Sequence, residues 1–226
     1  MDYYSKDQPL VELKSISVIY PERGTVLDNI SFKIYNGDRI GIYGANGAGK
    51  TTLLYTIVGL IKVKNGDIFL FGKKMEKEKD FIEARKKIGF LFQDPDDQLF
   101  SPTVEEDIAF GPLNLRLSKE IVEKRVEEVI RFLGIENLRK RFSYTLSYGE
   151  KRIVSIATIL SMKPLIYLLD EPTSGLDKKT TEKIEKFLTE REITYCIVSH
   201  EIDFLKKVCN KIFILEEGKL YPFPQV

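Results

Sequence analysis

Apolar positions change their period several times along the chain, and each change predicts an element. Val11, Leu13, Ile16, Val18 and Tyr20 alternate roughly with polar residues, and Leu27, Ile30, Phe32 and Ile34 do so after the turn Pro21-Glu22-Arg23-Gly24. A period near two marks half-buried strands, and Asn36-Gly37 closes the second. Ile68 to Phe71 adds another strand between Asn65-Gly66-Asp67 and Gly72. Together these predict an antiparallel sheet with polar turns. Continuous apolar runs occur at 40–43, 88–92, 165–169 and 212–215, and 193–199 reads as another buried strand. The run at 165–169 is what a strand buried on both faces of a parallel sheet presents. Glu217-Gly218-Lys219 reads as a final turn.

Helical spacing fills the intervals. Leu53, Leu54, Ile57, Val58 and Ile61 predict a helix over 52–61. A charged loop with a short helix is expected over 73–87, and a helix over 104–110. Ile121, Val122, Val126, Val129, Ile130 and Leu133 share one face of a helix over 118–133, stopped by Gly134. Ser147-Tyr148-Gly149-Glu150 is a capping box that opens a helix through Leu160, which ends before Pro164. Residues 178–190 form an amphipathic pattern. The expected fold class is α/β: one domain over 1–226, with a parallel-sheet core, an antiparallel β sub-domain and a helical sub-domain inserted at roughly 98–162.

Gly44-Ala45-Asn46-Gly47-Ala48-Gly49-Lys50-Thr51 fits G-x-x-x-x-G-K-[ST], the phosphate-binding loop of P-loop NTPases, and it lies between a predicted strand and a predicted helix as that motif requires. Glycines let backbone N–H groups crowd around phosphate oxygens, and the helix N-terminus adds its positive dipole end. In this motif Lys50 reaches the β- and γ-phosphates and the Thr51 hydroxyl ligates Mg²⁺.

Composition narrows the setting. The 226 residues suit one domain, or a core with a sub-domain, at roughly 150 residues per domain. Thirty-five Lys and Arg against 34 Asp and Glu give a net charge of +1, which argues against a strongly basic nucleic-acid binder. Cys196 and Cys209 lack metal-site spacing and read as free thiols of a reducing compartment. The N-terminal residues 1–8 are polar with no signal-peptide core, and no apolar run approaches the 18 or so residues of a membrane span.

Further motifs carry a family resemblance over nearly the whole length. Gln93 ends an apolar strand, and Leu146-Ser147-Tyr148-Gly149-Glu150 resembles the signature LSGGQ. Asp170-Glu171 follow a buried run, Ser174-Gly175-Leu176-Asp177 come next, and His200, the one histidine of the chain, closes another strand. In this order they resemble the nucleotide-binding subunits of ABC transporters. The resemblance implies an ATPase with ATP and Mg²⁺ as its cofactors. By that analogy Tyr20 stacks on adenine, and Asn46, Gly47, Ala48, Gly49, Lys50, Thr51 and Thr52 bind the phosphates. Thr51, Gln93 and Asp170 hold Mg²⁺, while Glu171, His200 and Gln93 serve catalysis. Ser147 and Gly149 cap the nucleotide of the opposite subunit, and 174–177 forms the loop that passes between subunits. A water activated by Glu171 fits general-base chemistry.

Phe92 to Phe100, with Asp107-Ile108-Ala109-Phe110-Gly111-Pro112, looks like the corresponding region of energy-coupling-factor importers and cobalt-uptake ATPases. That resemblance implies a subunit energising uptake of a vitamin or a transition-metal ion. Its partners would be a second ABC ATPase subunit, an integral-membrane scaffold and a substrate-binding membrane protein. Its place would be the cytoplasmic face of the cell membrane, held there by those partners. Two other readings stay open: a soluble ABC ATPase of repair or translation, and a regulatory half with low turnover. The signature departs from the family at Tyr148, where glycine is usual, and at Glu150, where glutamine is usual. Glu150 keeps the helix cap but adds negative charge near a phosphate, softened by Lys151 and Arg152. The chain also ends at Val226, short of a C-terminal dimerisation region that many members carry. These three features together favour a heterodimer over a homodimer.

Overall fold

The computed structural model describes residues 8–224; the first seven residues of the polar N-terminal stretch, and the terminus at Val226, lie outside the described residues. Strands β1 (Val11–Tyr20), β2 (Gly24–Ile34), β4 (Asn65–Leu70) and β5 (Lys73–Lys74) form an antiparallel sheet in the order β2-β1-β4-β5. The spacing of buried residues slips from two to three once in each long strand, at Leu13 to Ile16 and at Leu27 to Ile30. The register shifts there, and Ser15 and Asn29 take φ of 50° and 51°. Both are bulges, and the amides they free find hydroxyls across the pair. Ser15 N–H donates to Ser31 Oγ at 3.1 Å, and Asn29 N–H to Ser17 Oγ at 3.0 Å.

The second sheet runs β10-β9-β3-β8-β7-β6, built from β3 (Arg39–Tyr43), β6 (Ile88–Leu91), β7 (Ile166–Asp170), β8 (Tyr195–Ser199), β9 (Lys211–Glu216) and β10 (Lys219–Pro222). All neighbours are parallel except β10, which returns antiparallel to β9. Every residue of β7 and β8 is buried, because the sheet is covered on both faces. Their alternation serves two cores. Ile166, Leu168, Cys196 and Val198 pack with the antiparallel sheet and α1 (Lys50–Ile57). Tyr167, Leu169, Tyr195 and Ile197 pack with helices α3 (Val104–Asn114), α4 (Lys119–Leu133), α5 (Tyr148–Met162), α6 (Lys178–Glu190) and α7 (Ile202–Val208).

Several boundaries differ from the sequence reading. Helix α1 starts at Lys50, because Gly49 caps it at φ 99°, and it ends at Ile57, before Gly59 turns at φ 72°. Helix α2 (Glu78–Arg85) is the short helix of the charged segment. Helix α3 runs past Phe110 and contains Pro112. Proline removes the N–H that would bond the Ile108 carbonyl four residues back. Ser161 of α5 supplies the missing donor, its Oγ giving a hydrogen bond to Ile108 O at 2.8 Å. Helix α7 and strand β10 were not foreseen from the sequence. The parallel sheet lines up the C-terminal ends of β3, β6, β7 and β8, the edge where open α/β sheets bind ligands.

Candidate active site

Each strand of that edge delivers one part of the site. The phosphate loop follows β3 and enters α1. A Cβ on Gly44 would lie 2.7 Å from the Leu215 carbonyl, so only glycine fits there. Gly49 caps α1 without a side-chain hydrogen bond, which leaves the helix end to a ligand. Lys50 is buried, and its Nζ donates to the carbonyls of Gly44 at 2.7 Å and Ala45 at 3.1 Å. The ammonium is thus held over the loop before any phosphate arrives.

Asp170 ends β7, and Glu171 follows it with φ 47°. Adjacent residues of an extended strand point to opposite faces; this left-handed residue lets both carboxylates line one cavity. Glu171 Oε1 accepts from His200 N–H at 3.1 Å and lies 2.9 Å from His200 Nδ1, while Oε2 accepts from Ser199 Oγ at 3.0 Å. Lys50 Nζ stands 3.7 Å from Glu171 Oε1. So the ends of β7 and β8 and the phosphate-loop lysine converge on one carboxylate.

Asp170 is almost wholly buried, and neither carboxylate oxygen has a hydrogen-bond partner. Burial pushes its pKa up to about 6. A buried carboxylate without a donor is a group that awaits a cation. Thr51 Oγ1 donates to Gln93 Oε1 at 3.4 Å, which brings Gln93, one residue pair past β6, to the same point. Thr51, Gln93 and Asp170 therefore offer an all-oxygen set, the donor chemistry that suits Mg²⁺.

One cavity of about 1430 Å³ is lined by Tyr20, residues 43–52, Gln93, Asp170 and Glu171. Tyr20 closes β1 at its mouth, its hydroxyl 3.4 Å from Thr52 Oγ1. The wall made by Leu215, Glu216, Glu217 and Gly218 was not foreseen; it comes from the β9–β10 hairpin, of which the sequence showed the first strand and the turn but not β10. His200 touches Glu171 but does not line this cavity, and half of its side chain is exposed.

Ser147 and Gly149 stand apart from that cavity, at the N-terminus of α5. The capping box forms: Ser147 Oγ accepts from Glu150 N–H at 3.3 Å, and Glu150 Oε2 from Ser147 N–H at 2.8 Å. The expected softening of Glu150 by Lys151 and Arg152 does not occur. Lys151 pairs with Asp96 at 2.5 Å and Arg152 turns inward. Arg141 instead donates to Glu150 Oε1 at 3.0 Å. Backbone donation from Ser147, aided by Arg141, holds the Glu150 carboxyl below its usual range. The Tyr148 ring lies against Gly175, where an added Cβ would come within 2.6 Å of it. Asp177 caps α6 by accepting from Thr180 N–H at 2.9 Å.

Sequence reasoning missed Arg152, which is fully buried and binds the backbone beside Gln93 and Glu171. Its signal was present: a charged residue four positions before Ile156, on the apolar stripe of α5.

Comparison with known proteins agrees with this geometry. A family profile described as ABC transporter matches residues 27–174. The protein of Methanothermobacter thermautotrophicus named energy-coupling factor transporter ATP-binding protein EcfA is 43% identical over 215 residues, 93% of this chain and 69% of its own length. The protein of the same name from Methanocaldococcus jannaschii is 41% identical over 93% of this chain and 77% of its own. The structure of cbiO1 from Clostridium perfringens, described as part of the ABC transporter complex cbiONQ, superposes with a TM-score of 0.81 at 35% identity, over 95% of this chain and 87% of that one. The cassette MJ0796, solved as a dimer bound to ADP and Pi, gives a TM-score of 0.83 at 27% identity, over 96% of this chain and 100% of its own. The fold, the loop and these likenesses agree: the chain belongs to the ABC transporter family, as an ATP-binding and ATP-hydrolysing component.

Proposed function

We propose that the chain hydrolyses MgATP to energise a membrane importer of the energy-coupling-factor type, for a vitamin or a transition-metal ion. The observation that carries the catalytic part is Glu171, oriented by Ser199 and His200 and facing Lys50 across the cavity. Glu171 draws the proton from the attacking water, and His200 holds the carboxylate in place. Lys50 exchanges its loop carbonyls for phosphate oxygens, a charge-assisted contact. Thr51, Gln93 and Asp170 would hold Mg²⁺, which neutralises phosphate charge when bound. Asn46, Gly47, Ala48, Gly49 and Thr52 surround the phosphates, and Tyr20 takes the base. Ser147 and Gly149 complete the site of a second ATPase subunit, consistent with their distance from this chain's own cavity.

Relatives named as energy-coupling factor ATP-binding proteins, and the likeness to part of the cbiONQ complex, support the importer reading. Among the described residues no helix is long and apolar enough to cross a membrane, so membrane contact falls to partners. The surface suited to a scaffold helix lies beside Gln93. There Phe100 is 65% exposed and packs edge-on against Phe110, with rings 4.6 Å apart, next to exposed Leu113. In this reading the partner that selects the cargo is a separate membrane protein, and the whole assembly sits on the cytoplasmic face. Residues 98–162 act as the moving helical part of a single ATPase domain. A heterodimer stays the favoured assembly, now on Tyr148 alone among the described residues, since Arg141 already pairs with Glu150.

Purification of the tagged chain from detergent-solubilised membranes tests the importer reading. Membrane proteins should co-elute, and Phe100→Asp with Phe110→Asp should release them while ATP binding persists. Recovery of the fully active chain without any membrane protein would refute it.

A further inference from the structure

Among the described residues Arg152 is the largest fully buried side chain, at 0% exposure. It donates through Nη1 to the carbonyls of Phe92 at 2.5 Å and Gln93 at 3.2 Å. Through Nη2 it donates to the carbonyls of Asp170 and Glu171. One planar fork thus joins the ends of β6 and β7, at the points where those strands deliver Gln93, Asp170 and Glu171. Its Nε is left without a partner.

Packing does not ask for a charge here. A buried cation is costly unless several acceptors compensate it, and an apolar residue of similar volume avoids that cost. Burial pushes the Arg152 pKa down. The acceptors that repay the burial are backbone carbonyls of the catalytic segments. Glu171 holds a left-handed conformation, which a non-glycine residue keeps only where its surroundings fix it. Arg152 on its carbonyl, and the Glu171 N–H donated to Val198 O at 3.0 Å, do that fixing.

Neighbouring contacts run the same way. Lys151 pairs with Asp96. Gln98 accepts from Phe92 N–H at 3.1 Å and donates to Ser155 O at 2.9 Å and Thr158 Oγ1 at 2.7 Å. Residues 92–98 are thereby fastened to α5, whose N-terminus carries Ser147.

We propose that Arg152 is a positioning residue for hydrolysis. It locks the backbone of 92–93 to that of 170–171, so that Gln93 and Glu171 face the phosphate loop together. The inference rests on the reading of Gln93 and Glu171 as catalytic groups.

Arg152→Lys tests it, because lysine keeps the charge but offers a single nitrogen that cannot span two pairs of carbonyls. In the assembled ATPase, kcat should fall by about tenfold or more while KM for ATP changes by less than about threefold. The thermal midpoint should fall, because carbonyls lose their donors, so kcat is compared per folded, ATP-binding site. Arg152→Gln is read in the same way if the lysine variant does not accumulate folded. A folded variant with native kcat per active site overturns the proposal. So does failure of both variants to fold, which would assign Arg152 to folding alone. Glu171→Gln runs in parallel: native turnover there removes the catalytic reading itself, whereas an inactive Glu171→Gln beside an active Arg152→Lys removes only the role of Arg152.

Discussion

Glu171→Gln changes one charge in a setting where every contact can be followed. The carboxylate accepts from Ser199 Oγ and His200 N–H, and it faces Lys50 at 3.7 Å. A glutamine oxygen can keep the His200 N–H bond. Its amide nitrogen can donate to Ser199 Oγ, since that hydroxyl can turn and already accepts from Glu201 N–H at 3.1 Å. Lys50 loses its carboxylate but keeps two carbonyl acceptors. The stability change should therefore stay within about 2 kcal/mol, below the cost of orphaning a buried charge. The rate is another matter. Removing a general base costs roughly 10²- to 10⁴-fold, or about 3–5 kcal/mol of barrier. Phosphate release by the assembled protein measures turnover, and equilibrium binding of ATP in the same sample measures affinity. ATP should still bind, and a closed dimer should accumulate on size exclusion with MgATP. Turnover within about threefold of native, in a folded variant that binds ATP, would refute the general-base role.

His200→Ala should lower turnover much more than ATP affinity, because its hydrogen bond orients Glu171 and not the nucleotide; equal losses of ATP and ADP binding would contradict this. Ser161→Ala should cost about 1–3 kcal/mol in urea denaturation, because the Ile108 carbonyl facing Pro112 loses its donor, and an unchanged midpoint would show that the helix needs no such repair. Mixing the chain with related ATPases should raise turnover per site above that of the chain alone; a homodimer as active as any mixture rules out the heterodimer reading.

The strands were legible because their periods differ: alternation in β1 and β2, unbroken apolar runs in β7 and β8. The bulges were written in the same pattern, as three-residue steps at Leu13 to Ile16 and Leu27 to Ile30, but only the pairing shows which hydroxyls take the freed amides. The phosphate loop was readable from its motif spacing, whereas Asp170 and Glu171 were singled out by the family resemblance, and the fold brings both to the cavity of that loop. The partners of Glu150 and Arg152 were not. Both depend on which long side chain reaches which backbone, a choice made by packing between elements distant in sequence. Helix α7 hid because its seven residues follow directly on a strand and offer a single turn of buried spacing, Phe204, Leu205 and Val208.

The position of β3 has a consequence for the order in which the molecule can assemble. β3 pairs with β8 on one side and β9 on the other, so the strand that launches the phosphate loop finds its neighbours only among residues far downstream. Gly44 itself sits against the carbonyl of Leu215. The β1–β2 hairpin, by contrast, closes through the cross-strand pair Tyr20 and Gly24, joined by a short turn, and can form as soon as it leaves the ribosome. The emerging chain therefore carries its nucleotide loop on a strand without its sheet partners until residues 195–214 have been made. Long-range parallel pairing of this kind is slow and leaves an edge open to other chains. These downstream strands are thus the ones that turn a glycine-rich loop into a binding site.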